Sequence, residues 1–163
     1  MTGSHWVVFT ISPKGKCALP AADVRRLIHI PHLTRPPGIP SLVEGFLNLA
    51  GSVIPVLRID RLFGEPDIAF DPYLCVIVLK NASPPLSLLV EGVDTVIRLH
   101  ADHISPVDPG ESFNACVTAS ATVDGQDIAL LDTRRLLTVR EERTLAELLT
   151  IQQQRLAEIG GAA

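Results

Sequence analysis

Val43-Glu44-Gly45-Phe46-Leu47-Asn48-Leu49-Ala50-Gly51-Ser52-Val53-Ile54-Pro55-Val56 sets a turn, Gly51-Ser52, ahead of a run of β-branched and aliphatic residues. Glycine enters backbone conformations closed to other residues, so it punctuates chains at tight turns. The run that follows, 53–59, has the composition that fits a pleated, half-buried surface and predicts a strand. Upstream, 42–47 predicts a short helix or a turn. Downstream, 60–63 has helical character and stops at Gly64.

The same pattern returns 74 residues later. Gly51-Ser52-Val53-Ile54-Pro55-Val56-Leu57 lies over Gly125-Gln126-Asp127-Ile128-Ala129-Leu130-Leu131, and Arg61-Leu62 then falls on Arg135-Leu136. In both copies a turn leads to a strand and then to a short Arg/Leu-rich helical turn. One reading is a duplicated β module with two similar lobes, about 6–64 and 73–137. The other is that two amphipathic strands resemble each other over seven positions. The second copy carries Asp124-Gly125, a strong short-range hairpin signal, between strands 113–123 and 126–131.

Outward from these two hairpins the chain continues as short strands. Residues 6–11 and 17–20 form a first hairpin around a turn at 13–16. Residues 23–30 predict a strand or a short helical turn. Four prolines within 31–40 remove N–H donors and fix φ, which excludes a regular element there. Residues 73–80, 86–90 and 93–99 predict three more strands, and 106–111 a loop. A helix follows from about 140 to 159. Thr138 and Glu141 have capping-box spacing, and Leu145, Leu148, Leu149, Leu156 and Ile159 fall on one face. That stripe predicts packing on the β-rich part, with a free docking face as the alternative. Short strands with turn signals every ten or so residues predict a mainly β fold of small barrels or a sandwich, with a C-terminal helix over 138–160.

The 163 residues suffice for one domain or two small lobes sharing a core. The formal net charge of -4, without a basic block, argues against a nucleic-acid partner. The apolar runs fall well short of the ~20 residues of a membrane-spanning helix. No basic patch followed by an apolar stretch, the pattern of a secretory leader, opens the chain. Cys17, Cys75 and Cys116 are odd in number and widely spaced, which fits reduced thiols in a cytoplasm rather than a disulfide framework. Each sits in an apolar strand and reads as a small core residue.

Catalytic patterns are missing from the sequence. There is no phosphate-cradling glycine loop and no nucleophile elbow, so no enzymatic activity and no cofactor are expected. His29/His32 and His100/His103 are the candidate metal pairs, but no Cys or carboxylate cluster joins either with zinc-ligand spacing. They read as loop histidines. A small-ligand or metal-binding β-barrel that uses His100 and His103 is the alternative function.

The stretch 43–56 resembles the signature of the CheW-like family, in which Gly-x-x-Asn-Leu-Arg-Gly leads into an x-Ile-Pro-Val strand. The likeness extends to 7–11 and 16–20 as the family's first hairpin, and to 23–28 as its Val-x-Glu-Val segment. It takes in 90–96 as Val-Asp-x-Val-x-x-Val and 128–137 as the closing strand and turn. It therefore covers about 6–137, in order. What the resemblance implies is two intertwined five-stranded β-barrels with SH3-like lobes. It also implies a non-enzymatic cytoplasmic scaffold that couples methyl-accepting chemoreceptors to a CheA-type histidine kinase, with no membrane insertion of its own.

The family pattern, laid on this sequence, marks Val24, Arg26, Asn48, Leu49, Ala50, Gly51, Arg58 and Asp60 as partner-binding positions. Four of them depart from it. Ala50 stands where the family has Arg, and Arg26 where it has Glu. Arg58 stands where it has Asp, and Asp60 where it has Arg. Ala50 lacks five donors and a charge. Arg58 and Asp60 predict a swapped ion pair at a partly exposed place, worth ~0–1 kcal/mol. The departures imply a specialised paralogue with altered binding to one partner.

Overall fold

Both glycine turns are two-residue hairpins. Ala50 and Gly51 take φ of 51° and 89°, and Asp124 and Gly125 take 51° and 77°. Two successive positive φ values define the mirror-image turn whose twist matches paired strands. The computed structural model describes residues 3–12, 15–62, 73–80, 85–107, 116–137 and 139–161. The expected turn residues Pro13 and Lys14, the end of the helical stretch at Phe63 with its stop at Gly64, the loop residues 108–111, the first residues 113–115 of an expected strand and the cap residue Thr138 lie outside them.

The strands are β1 (Ser4–Ser12), β2 (Gly15–Pro20), β3 (Val24–His29), β4 (Val43–Leu49), β5 (Ser52–Arg58) and β6 (Cys75–Leu79). They continue with β7 (Ser87–Val90), β8 (Gly92–Leu99), β9 (Ile104–Pro106), β10 (Val117–Val123) and β11 (Gln126–Leu131). Helix α1 is Ile59–Leu62 and α2 is Val139–Gly161. A six-stranded sheet runs β8-β1-β2-β11-β10-β9, and a five-stranded sheet runs β3-β6-β7-β5-β4. The mainly β expectation holds, with six strands rather than five in one sheet because β9 adds to β10.

The 42–47 segment is a strand, not the short helix or turn expected from it. Antiparallel pairing with β5, from Val43↔Leu57 to Leu49↔Ser52, overrides its weak β propensity. Gly45 serves a close approach, since a Cβ there would sit 2.9 Å from the Thr34 carbonyl oxygen. The backbone of Thr34 exchanges two hydrogen bonds with Phe46, each 2.8 Å. Residues 23–30 resolve as a 3-10 turn, Ala21–Asp23, followed by β3.

The two copies of the 74-residue pattern exchange strands. β5 pairs in parallel with β7, and β11 pairs in parallel with β2. β3 lies on β6, and β8 lies on β1. The opening pair of each copy (β1–β2, β6–β7) thus completes the sheet made by the later strands of the other. The sheets interlock, and neither coincides with a contiguous lobe 6–64 or 73–137. One apolar core, including Phe9, Leu19, Leu57, Ile77, Leu88 and Leu131, joins them.

Helix α2 packs on that core through Leu145, which is buried, and through half-buried Leu148, Leu149 and Leu156. Four of the five residues of the expected apolar stripe are therefore engaged with the fold, and the side chain of the fifth, Ile159, lies outside the described ones. Cys17 and Cys116 are buried. Burial, reinforced by the nearby charge of Asp132, pushes the Cys116 thiol up to about 11, which leaves it un-ionised at neutral pH. No helix among the described residues is long and apolar enough to cross a membrane.

Candidate functional site

The β4–β5 tip is built from its own residues. The Asn48 side-chain oxygen accepts the Gly51 N–H at 3.0 Å and so ties the turn across its mouth. Asn48, Ala50 and Gly51 are exposed and Leu49 is half-buried. Ala50 has a positive φ, which costs an L-residue roughly 1–2 kcal/mol. Ala50→Asn is expected to raise the unfolding free energy by about 1 kcal/mol, read as a higher denaturation midpoint. Ala50→Arg keeps the same backbone preference, so a binding change in that variant reports on the side chain alone.

A residue distant in sequence holds the tip from behind. The upper part of β5 lies beyond its pairing with β7, and the Gln153 side chain of α2 fills that place. Its carbonyl oxygen accepts the Val53 N–H at 3.0 Å, and its amide donates to the Gly51 carbonyl at 3.0 Å. This primary amide does for the hairpin what a neighbouring strand's peptide group would do. Gln152 beside it is only 7% exposed. With Arg155, Leu156, Thr34, Phe46 and Asn48 it lines a groove between helix and hairpin. Gln153→Ala is expected to lower the unfolding free energy by ~1–2 kcal/mol, since the Val53 N–H loses its partner. Hydrogen exchange at Val53 is the direct readout.

The other expected positions separate. Val24 and Arg26 lie on β3, at the edge of the same sheet opposite β4 in the hydrogen-bonded order. Arg26 is exposed and Val24 half-buried. Arg58 and Asp60 are not on the surface: their exposures are 6% and 0%. The expectation of a partly exposed, weak pair is corrected by this burial. Arg58 Nε and Nη2 donate to the two Asp60 carboxylate oxygens at 3.0 and 2.8 Å, a bidentate contact. Arg58 Nη1 donates to Glu44 at 2.8 Å, and Glu44 accepts from Arg35 at 2.6 Å. The hydrogen bonds from Arg58 to Asp60, outweighing its burial, hold that guanidinium above its ordinary pKa.

The repeat explains the swapped order. Offset by 74, Arg58 and Asp60 correspond to Asp132 and Arg134, which form the same i, i+2 pair with the signs reversed. Arg134 Nε and Nη2 donate to Asp132 at 3.2 and 3.3 Å. Burial alone would raise the Asp132 carboxyl, but the side-chain and backbone hydrogen bonds from Arg134 hold it below its ordinary value. Glu44 accounts for the reversal at 58, because an Asp there would meet a like charge whereas Arg58 meets a partner.

His100 and His103 bracket a 3-10 turn, Ala101–His103, in which His103 Nδ1 accepts the His100 N–H at 3.3 Å. Their rings meet edge-on at 5.6 Å. Among the described residues no three His, Cys, Asp or Glu side chains gather as a metal set.

A family model, the CheW-like domain, matches residues 5–141, from β1 to the first turn of α2. The chain belongs to the CheW-like domain family. It is 23% identical to the chemotaxis protein CheW of Klebsiella aerogenes over 85% of this chain and 84% of that protein. It is 26% identical to the chemotaxis protein CheW of Thermotoga maritima over 77% of this chain and 80% of that one. Among solved structures it matches the scaffolding protein TtCheW from Thermoanaerobacter tengcongensis with a TM-score of 0.77. That match has 25% identity and covers 86% of this chain and 91% of that one. The interlocked sheets are thus the CheW fold of two SH3-like lobes. The CheW-like match ends at 141, so Gln152 and Gln153 lie beyond it. Only the run Gln152-Gln153-Gln154, polar within an otherwise striped helix, marks them in the sequence.

Proposed function

We propose that this chain is a non-enzymatic chemosensory adaptor, working in the cytoplasm, that couples methyl-accepting receptors to a CheA-type histidine kinase. The observation that carries the reading is the CheW-like match over residues 5–141 on a fold shared with a scaffolding protein. The adaptor module is 6–137, and the helix 138–160 supports it. An adaptor needs rigid surface features rather than a reactive cleft. The Asn48–Gly51 tip, tied by Asn48 and held by Gln153, is such a feature. The partner-contacting positions are Val24 and Arg26 on β3 and Asn48, Leu49, Ala50 and Gly51 at the tip. Arg58 and Asp60 support these from the interior.

Ala50 and Arg26 redirect the binding. A guanidinium lost at one place and a carboxylate reversed at another alter charge pairing at an interface, where desolvated pairs set register and specificity. The chain is accordingly a specialised paralogue, altered toward one of its two partners. The test is pairwise calorimetry against a receptor cytoplasmic tip and a kinase regulatory domain from the same genome, with Ala50→Arg and Arg26→Glu alongside. Tight binding to one partner and weaker but measurable binding to the other, strengthened in the variants, is the expected result. Binding to neither, in wild type and in the double variant, sinks the reading.

A further inference from the structure

The exchanged sheets are related by a pseudo-repeat that can be followed residue by residue. On β1, Val7 pairs with Leu19 and Val96; on β6, Ile77 pairs with Leu88 and Leu27. From this anchor Thr10 corresponds to Lys80, and Lys16 to Pro85. Both outer strands carry an extra residue at the same place. In β8 the register steps from Thr95 to Val93 across Asp94, and in β3 it steps from Arg26 to Val24 across Arg25. Asp94 and Arg25 are therefore equivalent bulge residues.

The two bulges differ in charge. Around Asp94 the site is closed: the carboxylate accepts from Lys16 at 2.7 Å and from Thr10 at 3.0 and 3.1 Å. Around Arg25 the equivalents are Lys80 and Pro85. These three line one cleft of about 330 Å³, with Ile54, Val78 and Leu86 as apolar walls. Two cations stand where the twin site has one cation, one hydroxyl and the carboxylate that joins them. No carboxylate among the described residues forms an ion pair with Arg25 or Lys80.

We infer that the Arg25–Lys80 cleft is a docking site for an acidic side chain, Asp or Glu, carried on an apolar segment of a protein partner. The twin site identifies the occupant, since a carboxylate already performs that role between Lys16 and Thr10. Charge complementarity supplies the attraction locally on a chain whose overall net charge is -4, and the apolar walls supply the segment preference. That the acid comes from a receptor or kinase rests on the adaptor reading; the sign of the charge does not.

The test uses the full chain and two substitutions at surface positions. Arg25→Asp copies the twin, placing a carboxylate beside Lys80 and closing the cleft from within. Lys80→Gln removes one cation and adds no charge. Each is titrated with the receptor tip, with the kinase regulatory domain, and by NMR with the capped peptide Leu-Glu-Val-Asp-Leu and its Gln/Asn counterpart. The expected result is a folded Arg25→Asp with binding to one partner and to the acidic peptide weakened by about tenfold or more. Lys80→Gln weakens both in the same direction. The acidic peptide, unlike the neutral one, shifts the amide signals of Arg25, Val78 and Lys80. If the wild type binds neither protein partner but discriminates the peptides by charge, the adaptor reading fails and the cleft stands. If the neutral peptide shifts the same signals equally, or both folded variants bind everything as the wild type does, the cleft assignment is overturned.

Discussion

Asp60→Ala is expected to lower the unfolding free energy by about 3–5 kcal/mol, read by urea denaturation. The substitution leaves the Arg58 guanidinium buried without its bidentate partner, and an uncompensated buried charge costs on that order. Glu44 still reaches Arg58, so the loss stays short of a fully stranded charge. The double exchange Arg58→Asp with Asp60→Arg restores the sign order of the Asp132–Arg134 pair. It is nonetheless expected to destabilise, because the new carboxylate at 58 faces Glu44. Adding Glu44→Gln to the double exchange recovers part of the loss. Equal stability of the exchanged and native chains contradicts the role given to Glu44.

The second large effect concerns the chain as a whole. Cut between residues 72 and 73, neither half is expected to fold, and mixing the halves is expected to regenerate the native circular dichroism spectrum. The N-terminal half keeps β1 and β2 but loses β8 and β11, their neighbours on either side. The C-terminal half keeps β6 and β7 but loses β3 and β5. A two-stranded hairpin stripped of its sheet is marginal at best. The shared apolar core is also divided, with Phe9, Leu19 and Leu57 on one piece and Ile77, Leu88 and Leu131 on the other. A half that folds cooperatively by itself contradicts the interlocked topology.

Much of this architecture is legible in the sequence because it is local. Asp124-Gly125 and Gly51 announce hairpins, since their positive φ angles favour such residues, although the first turn is centred on Ala50-Gly51 and Ser52 already belongs to β5. Strands β5 and β11 follow from their aliphatic runs. Strand β4 is not legible, because Glu44, Gly45 and Asn48 each argue locally against a strand. Their reasons for being there are tertiary: Glu44 meets Arg58, Gly45 admits Thr34, and Asn48 ties the turn. The exchange of strands between repeats is not legible in strand propensity, which does not encode pairing partners; the family resemblance, with its intertwined barrels, is what carries it.

The candidate site divides in the same way. The Asn48–Gly51 tip is legible as a motif. The burial of Arg58 and Asp60 is not, because charged residues at a strand end ordinarily read as exposed. Gln153 holds the tip from a hundred residues away, and no short-range pattern links it to Val53. The Arg25–Lys80 cleft becomes visible only when the two sheets are laid over each other and the twin bulge proves to be closed by Asp94.

As an adaptor, this chain must join a receptor to a kinase. The most direct test is to mix the full chain with a receptor cytoplasmic tip and a kinase regulatory domain from the same genome, and to measure by light scattering the mass of what elutes. The expected result is a complex containing all three components, formed only when this chain is present. Three separately eluting proteins, under conditions where another CheW-like protein of that genome assembles the complex, would contradict it.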